Sequence, residues 1–155
     1  MRTGHGFDAH AFTDGRLLVL GGVQIAHPRG LAGHSDADVL LHAIIDALLG
    51  AAALGDIGSL FPSSDPQWKG ASSLDLLARA NEVVRAHGYA VVNIDGTVVA
   101  EAPRLAPYVQ AMRQAIASAL ALDVPQVSVK ATTTDGMGFT GHGDGIAAFA
   151  VVLLE

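Results

Sequence analysis

The sequence predicts an α/β (α+β) fold, a two-layer sandwich in which one mixed sheet carries helices packed on one face. Three observations lead there. Strand-like and helix-like stretches follow one another in mixed order, the helical stretches are apolar on one side or nearly all round, and neither a repeat nor a linker interrupts the chain. The 155 residues fit one domain, 1–155, of a size that buries roughly 70% of the surface its unfolded form exposes.

Taken in order, the first third is rich in turn residues (Asp14-Gly15, Gly21-Gly22, Pro28, Gly30) around short strand-like runs at Gly4–Ala11, Leu17–Leu20 and Val23–Ala26, a pattern expected of hairpins. Ser35, three residues before Asp38, reads as a capping start for a helix that runs to about Leu54 and is stopped by Gly55 and Gly58. Residues 55–72 have no regular period and read as a loop of the length that usually serves function. A second helix is expected from Leu74 to about His87, with Leu76, Leu77, Ala80, Val83 and Val84 on one face and Gly88 as its stop. Tyr89–Ala102 reads as a strand broken at Asp95-Gly96, and Pro103 opens a third helix reaching Leu122. Val127–Thr134 and Ile146–Leu154 are the closing strands, around a glycine-rich loop.

Composition narrows the chemistry. The net charge of −6 offers no basic field for nucleic acid. With no cysteine there is neither a disulfide nor a thiolate site, so any metal must use histidine and carboxylate. The start, MRTGHGFDAH, has no apolar signal core, and the apolar stretch Val39–Leu54 is interrupted by His42 and Asp46. A soluble cytoplasmic protein, not bound to membrane, is the expectation. Half the residues are hydrophobic and 15% charged, a balance suggesting that other subunits cover part of the surface.

Asp8 and His10 lie two apart in a strand-like run and so project from one face, where they can converge on one ion. His42 is the candidate to complete the set. It sits in a helix that is apolar nearly all round, where Ser35, Asp38, His42 and Asp46 fall within about 80° of arc. His42 is either a metal ligand or a hydrogen-bonded core histidine. Two imidazoles and a carboxylate leave a position open, which suits catalytic Zn²⁺ and also non-haem Fe(II). Asp46, one turn on, either orients His42 or decorates the helix surface. His34 stands just before the expected helix start, where free N–H groups favour an anion, and Ser35 is an N-cap compatible with ligand contact. Asp56 is a loop cap or a ligand-facing carboxylate; Thr132, Thr133, Thr134 and Asp135 form a strand-edge cluster or a phosphate site. Gly136, Gly138 and Gly141 match the spacing of a dinucleotide loop, but the element that follows is too short and β-rich to be its helix.

Four long stretches occur in fixed order: GHGFDAHAF at 4–12, GHSDADVLLHAIIDALLGAAALGDIGSLFP at 33–62, AEAPRLAP at 100–107 and KATTTDGMGFTG at 130–141. In these the sequence resembles the 2-C-methyl-D-erythritol 2,4-cyclodiphosphate synthases. The resemblance implies a lyase of non-mevalonate isoprenoid synthesis that closes a nucleotide-linked substrate into a cyclic diphosphate and releases CMP. It implies Asp8, His10 and His42 as ligands of one Zn²⁺ per subunit, and His34 and Thr133 as transition-state stabilisers. Ser35, Asp56, Ile57 and Gly58 are implied to hold the erythritol phosphate end, and Asp8, His10, His34, Phe61, Pro62, Ser63, Ser64 and Asp65 are also implied to contact substrate. The cytidine side is implied at Ala100, Glu101, Ala102, Pro103, Arg104, Leu105 and Ala106, with Thr132, Thr133, Thr134 and Asp135. A Mg²⁺ or Mn²⁺ would bridge the α- and β-phosphates, through Asp135. The resemblance further implies a homotrimer whose active sites lie between subunits. Asp135 replaces the usual Glu, Ser63 a frequent Asp, and Arg104 a common Lys. His142 stands where an Arg commonly joins Phe139 at the trimer axis to hold an isoprenoid diphosphate. A zinc phosphohydrolase and a trimeric isoprenoid-diphosphate carrier are the competing readings.

Overall fold

The computed structural model describes residues 1–155. Strands β1 (Arg2–Thr13), β2 (Leu18–Leu20), β3 (Val23–Ile25) and β4 (Gly30–Leu31) come first, followed by helices α1 (Val39–Ala52), α2 (Ile57–Leu60) and α3 (Ser73–Ala86). Then come β5 (Val91–Val99), α4 (Val109–Leu120), β6 (Val127–Thr132), α5 (Gly138–Gly141) and β7 (Gly145–Leu154). The main sheet has the order β4-β1-β7-β5-β6. It is mixed as expected: β7 is antiparallel to β1 and β5, whereas β5 and β6 are parallel. Parallel neighbours need a crossover, and the chain between them carries α4.

Helices α1, α3 and α4 contribute the core's second layer, over one face of the sheet. In α1 only His42, Asp46 and Gly50 escape full burial. Its six large side chains Leu40, Leu41, Ile44, Ile45, Leu48 and Leu49 are at most 1% exposed, each stabilising the fold by about 1.5–3 kcal/mol. In β1 the side chains alternate, so Gly4, Gly6, Asp8 and His10 share the face turned to α1. At Gly4 and Gly6 a Cβ would lie 1.9 Å from the carbonyl oxygens of Ala47 and Ala43. The two glycines thus let helix and strand backbones meet, next to the pair of polar residues that follows. On the opposite face no helix packs, and Phe7, Phe149 and Val151 are 49%, 41% and 46% exposed.

Several expectations are corrected. Leu18–Leu20 and Val23–Ile25 do form a hairpin, but the first strand extends to 12 residues and pairs with β7 at the other end of the chain. Asp38, not Ser35, caps α1. Its buried carboxylate accepts from Leu41 N (3.1 Å) and from Gly21 N (2.9 Å) and Gly22 N (2.7 Å), fastening the hairpin turn to the helix start. The helix ends at Ala53, in the left-handed region with φ 59°, before Gly55 or Gly58 is reached. Such a residue costs about 1 kcal/mol, offset because its N–H reaches the Gly50 and Leu49 carbonyls. Strand β5 runs unbroken through Asp95-Gly96, where the missing side chain makes room for Leu40, whose Cδ1 would be 2.9 Å from a Cβ on Gly96. The third helix starts at Val109, not Pro103, because residues 100–105 form an open loop and a 3-10 turn, Ala106–Tyr108, precedes the helix. Residues 55–72 are folded into helical turns, with Phe61 edge-on to Trp68 at 5.0 Å between ring centroids.

Candidate active site and metal centre

The close approach of α1 to β1 brings His42 onto Asp8 and His10. His42 Nδ1 lies 3.0 Å from Asp8 Oδ2, His10 Nε2 lies 2.8 Å from the same oxygen, and the two nitrogens are 3.2 Å apart. These three atoms form a nearly equilateral triangle. A tetrahedral ion with bonds of about 2.0–2.1 Å needs ligand atoms about 3.3 Å apart, so the triangle fits a metal after a slight opening. The far ring nitrogens are held as metal-ligating histidines require: His10 Nδ1 donates to the Ala32 carbonyl at 2.6 Å. His42 Nε2 meets the hydroxyls of Ser35 and Ser73, each at 3.1 Å.

Burial works to raise the Asp8 carboxyl, but hydrogen bonds and charge from His10 and His42 outweigh it and hold it well below the usual carboxylate range. Burial presses His10 down, yet its hydrogen bond and Coulombic pairing with Asp8 carry it above 6.5. A metal entering this site must therefore displace a proton from the Asp8–His10 pair. Since His10 is raised, that competition is full below its pKa and is relieved only as pH rises through it. We expect affinity for Co²⁺ to fall with decreasing pH from a point above 6.5, with proton release. Calorimetric titrations across the pH range in two buffers check this, and a flat profile between pH 6 and 8 refutes it.

The triangle opens on a cleft of about 240 Å³ lined by Asp8, His10, His34, Ser35, His42, Ile57, Gly58, Phe61 and Ser63. Trp68 and Leu76 line it too, and neither was legible in the sequence, where Trp68 lay in an aperiodic stretch and Leu76 read only as core. Asp56 caps α2: its carboxyl is lowered because it accepts from the Ser59 hydroxyl and N–H. Pro62, Ser64 and Asp65 belong to the same wall segment without lining the cleft. Asp46 does not orient His42. Burial raises its carboxyl, which accepts from Ile57 N at 2.7 Å and so anchors α2 beside the cleft. At the start of α1 the Leu41 N–H is taken by Asp38, while His34 and Ser35 face the cleft.

A second cleft of about 280 Å³ is lined by Ala100, Glu101, Pro103, Arg104, Leu105, Ala106, Thr132 and Thr133, with Ala131, which the sequence reading missed. Ala102 lies in the same loop. The two clefts share no residue, and β6 stands three strands from β1, roughly 14 Å away. Thr133 donates its hydroxyl to Asp135 Oδ1 at 3.1 Å. Thr134 turns its hydroxyl inward to Met137 O and Thr140, while Phe139 and His142 lie in and just after α5, outside both clefts.

Two histidines and an aspartate on the wall of a cleft, set on a mixed α/β sheet, make a candidate metal site of the open kind that enzymes use, not a closed structural one. The profile of the YgbB family matches residues 1–155, and the chain belongs to that family. It is 61% identical to the 2-C-methyl-D-erythritol 2,4-cyclodiphosphate synthase of Moorella thermoacetica over 99% of this chain and 94% of that protein. It is likewise 61% identical to that of Syntrophomonas wolfei, over 100% and 99%. Among solved structures, a 2C-methyl-D-erythritol-2,4-cyclodiphosphate synthase in a CDP-bound form superposes with a TM-score of 0.91 at 36% identity, covering 99% of this chain and 100% of that one. The bifunctional IspDF of Campylobacter jejuni gives 0.95 at 48% identity, and this chain covers 42% of its length. No helix is long and apolar enough to cross a membrane.

Proposed function

We propose that this chain converts 4-diphosphocytidyl-2-C-methyl-D-erythritol 2-phosphate to 2-C-methyl-D-erythritol 2,4-cyclodiphosphate and CMP. It does so in the non-mevalonate isoprenoid pathway, as a cytoplasmic homotrimer in which residues 1–155 act as one domain. One observation carries this reading: the chain has two clefts whose chemistries suit the two ends of such a substrate, and they do not meet within one subunit. A neighbouring subunit docked on the exposed face around Phe7 and Phe149 (ring centroids 4.9 Å apart) would join them and cover apolar surface.

In the reaction an oxygen of the 2-phosphate forms a bond to the β-phosphorus, and the bond from that phosphorus to the bridging oxygen breaks, with its electron pair leaving on CMP. The nucleophile is tethered, so folding the substrate and neutralising charge are the main tasks. Asp8, His10 and His42 would hold the Zn²⁺, which when bound would neutralise phosphate charge as a Lewis acid. His34, Ser35 and Gly58 line this cleft, and the 2-phosphate and β-phosphate would lie against them. Thr133 donates to an equatorial oxygen once its hydroxyl leaves Asp135. Asp135, whose Oδ1 accepts from Thr133, would hold a Mg²⁺ or Mn²⁺ that offsets phosphate charge.

The test uses wild type, Asp8→Ala, Thr133→Ala and a mixture of the two variants unfolded and reassembled together, with products resolved by phosphorus NMR. Wild type should give CMP and cyclic diphosphate in equal amounts, and each variant alone almost none. The mixture should recover about one quarter of wild-type activity, the share of interfaces intact on both sides. Inorganic phosphate in place of the cyclic product would make the protein a metal phosphohydrolase. A mixture without activity would place the whole site in one subunit.

A further inference from the structure

His42 must offer the metal an unprotonated Nδ1, yet the Asp8 carboxylate 3.0 Å from that atom favours a proton on it. The opposing influence lies behind the ring. Nε2 meets two hydroxyls, and a free hydroxyl accepts or donates equally well. Ser73 is not free. Its O–H is given to Asp36 Oδ1, and its N–H to Asp36 Oδ2 at 3.0 Å. With its one hydrogen committed, the Ser73 oxygen can only accept from His42, so Nε2 must carry the proton and Nδ1 the lone pair. Ser73 is wholly buried, which keeps water from taking either role. Asp36 is itself pinned, accepting from Asp38 N at 3.2 Å and donating its own N–H to Ala71 O at 3.1 Å.

We propose that Asp36 and Ser73 are positioning residues, a relay that fixes His42 as the Nε2–H tautomer before the metal arrives. The same bonds leave the Ser35 hydrogen available to the cleft, since Ser35 Oγ already accepts from Ala37 N at 3.1 Å and takes a share of the His42 N–H. The relay also ties the metal site to the first residue of α3, at the end of the segment that walls the cleft. Without it, the metal-free protein settles into the Nδ1–H tautomer bonded to Asp8, and metal binding must first reverse that choice.

The inference rests on the metal-site reading of Asp8, His10 and His42, and the experiment separates the two. Metal-free full-length protein is examined by proton–nitrogen correlation NMR of the histidine rings, then titrated with Co²⁺ against a competing chelator. Wild type should show His42 as Nε2–H. Ser73→Ala and Asp36→Ala, checked for folding by thermal melting, should shift it toward Nδ1–H and weaken Co²⁺ binding about 10- to 100-fold. At saturation the Co²⁺ ligand-field spectrum should be that of wild type, because the ligands are the same. The double variant should bind no more weakly than Ser73→Ala, since Asp36 acts through Ser73. An Nδ1–H tautomer in wild type, wild-type affinity in both single variants, or additive losses in the double variant overturns the relay alone. A wild type that binds no Co²⁺ overturns the metal-site reading and the relay with it.

Discussion

His42→Ala should fold normally yet lose the metal and lower turnover by about 10³-fold or more. The side chain stands on the cleft wall, 12% exposed, so truncation opens the site without emptying the core between α1 and the sheet. What remains is a carboxylate and one imidazole, which hold a divalent ion far more weakly than the full triangle; affinity should fall by more than about 100-fold. Metal content after dialysis, turnover and the thermal melt are read on the same preparation. Normal metal content and activity would remove His42 from the site, and a collapsed melt would make it a core residue.

Gly6→Ala should be, with Gly4→Ala, among the most damaging one-carbon changes in the chain. Its Cβ would lie 1.9 Å from the Ala43 carbonyl oxygen and 2.8 Å from Ala47 N, and both are backbone atoms of a helix that cannot rotate out of the way. α1 must retreat from β1 by more than about 1 Å in a close-packed interior, at a cost of about 3 kcal/mol or more. For a chain of this size that lowers Tm by about 6–12 °C. Ala43 follows His42, so the retreat also draws Nδ1 away from Asp8 and His10, and Co²⁺ affinity falls with stability. Gly50→Ala is the control, an exposed position in α1 where a Cβ meets nothing within 4 Å. It should be neutral or stabilise by up to about 1 kcal/mol. A Gly6→Ala protein that melts and binds metal like wild type would show that the helix does not need this contact.

These two residues mark how the site divides between what is local and what is not. His42 was conspicuous in the sequence because a titratable ring in an apolar helix needs a partner, and Asp8 with His10 because residues two apart share a strand face. Gly6 gave no such signal. A glycine in a strand run reads as an irregularity until the helix that packs on it is known.

The sequence by itself determined the order and kind of the main elements, the shared face of Asp8 and His10, the polar stripe on α1 and the family to which the motifs belong. All of these depend on periodicity and residue type over a few neighbours. The tertiary structure decided the rest. It paired β1 with β7 across the length of the chain, turned Asp38 to the Gly21-Gly22 hairpin, carried β5 through Gly96 under Leu40 and sent Asp46 to Ile57 instead of His42. It also brought Ser73, 31 positions away, behind the His42 ring, and kept the two clefts apart. Each of these is a contact between backbones or side chains distant in sequence. Such contacts are fixed by how closely layers can pack and by which buried polar groups must find partners, and neither condition is written in the spacing of neighbouring residues.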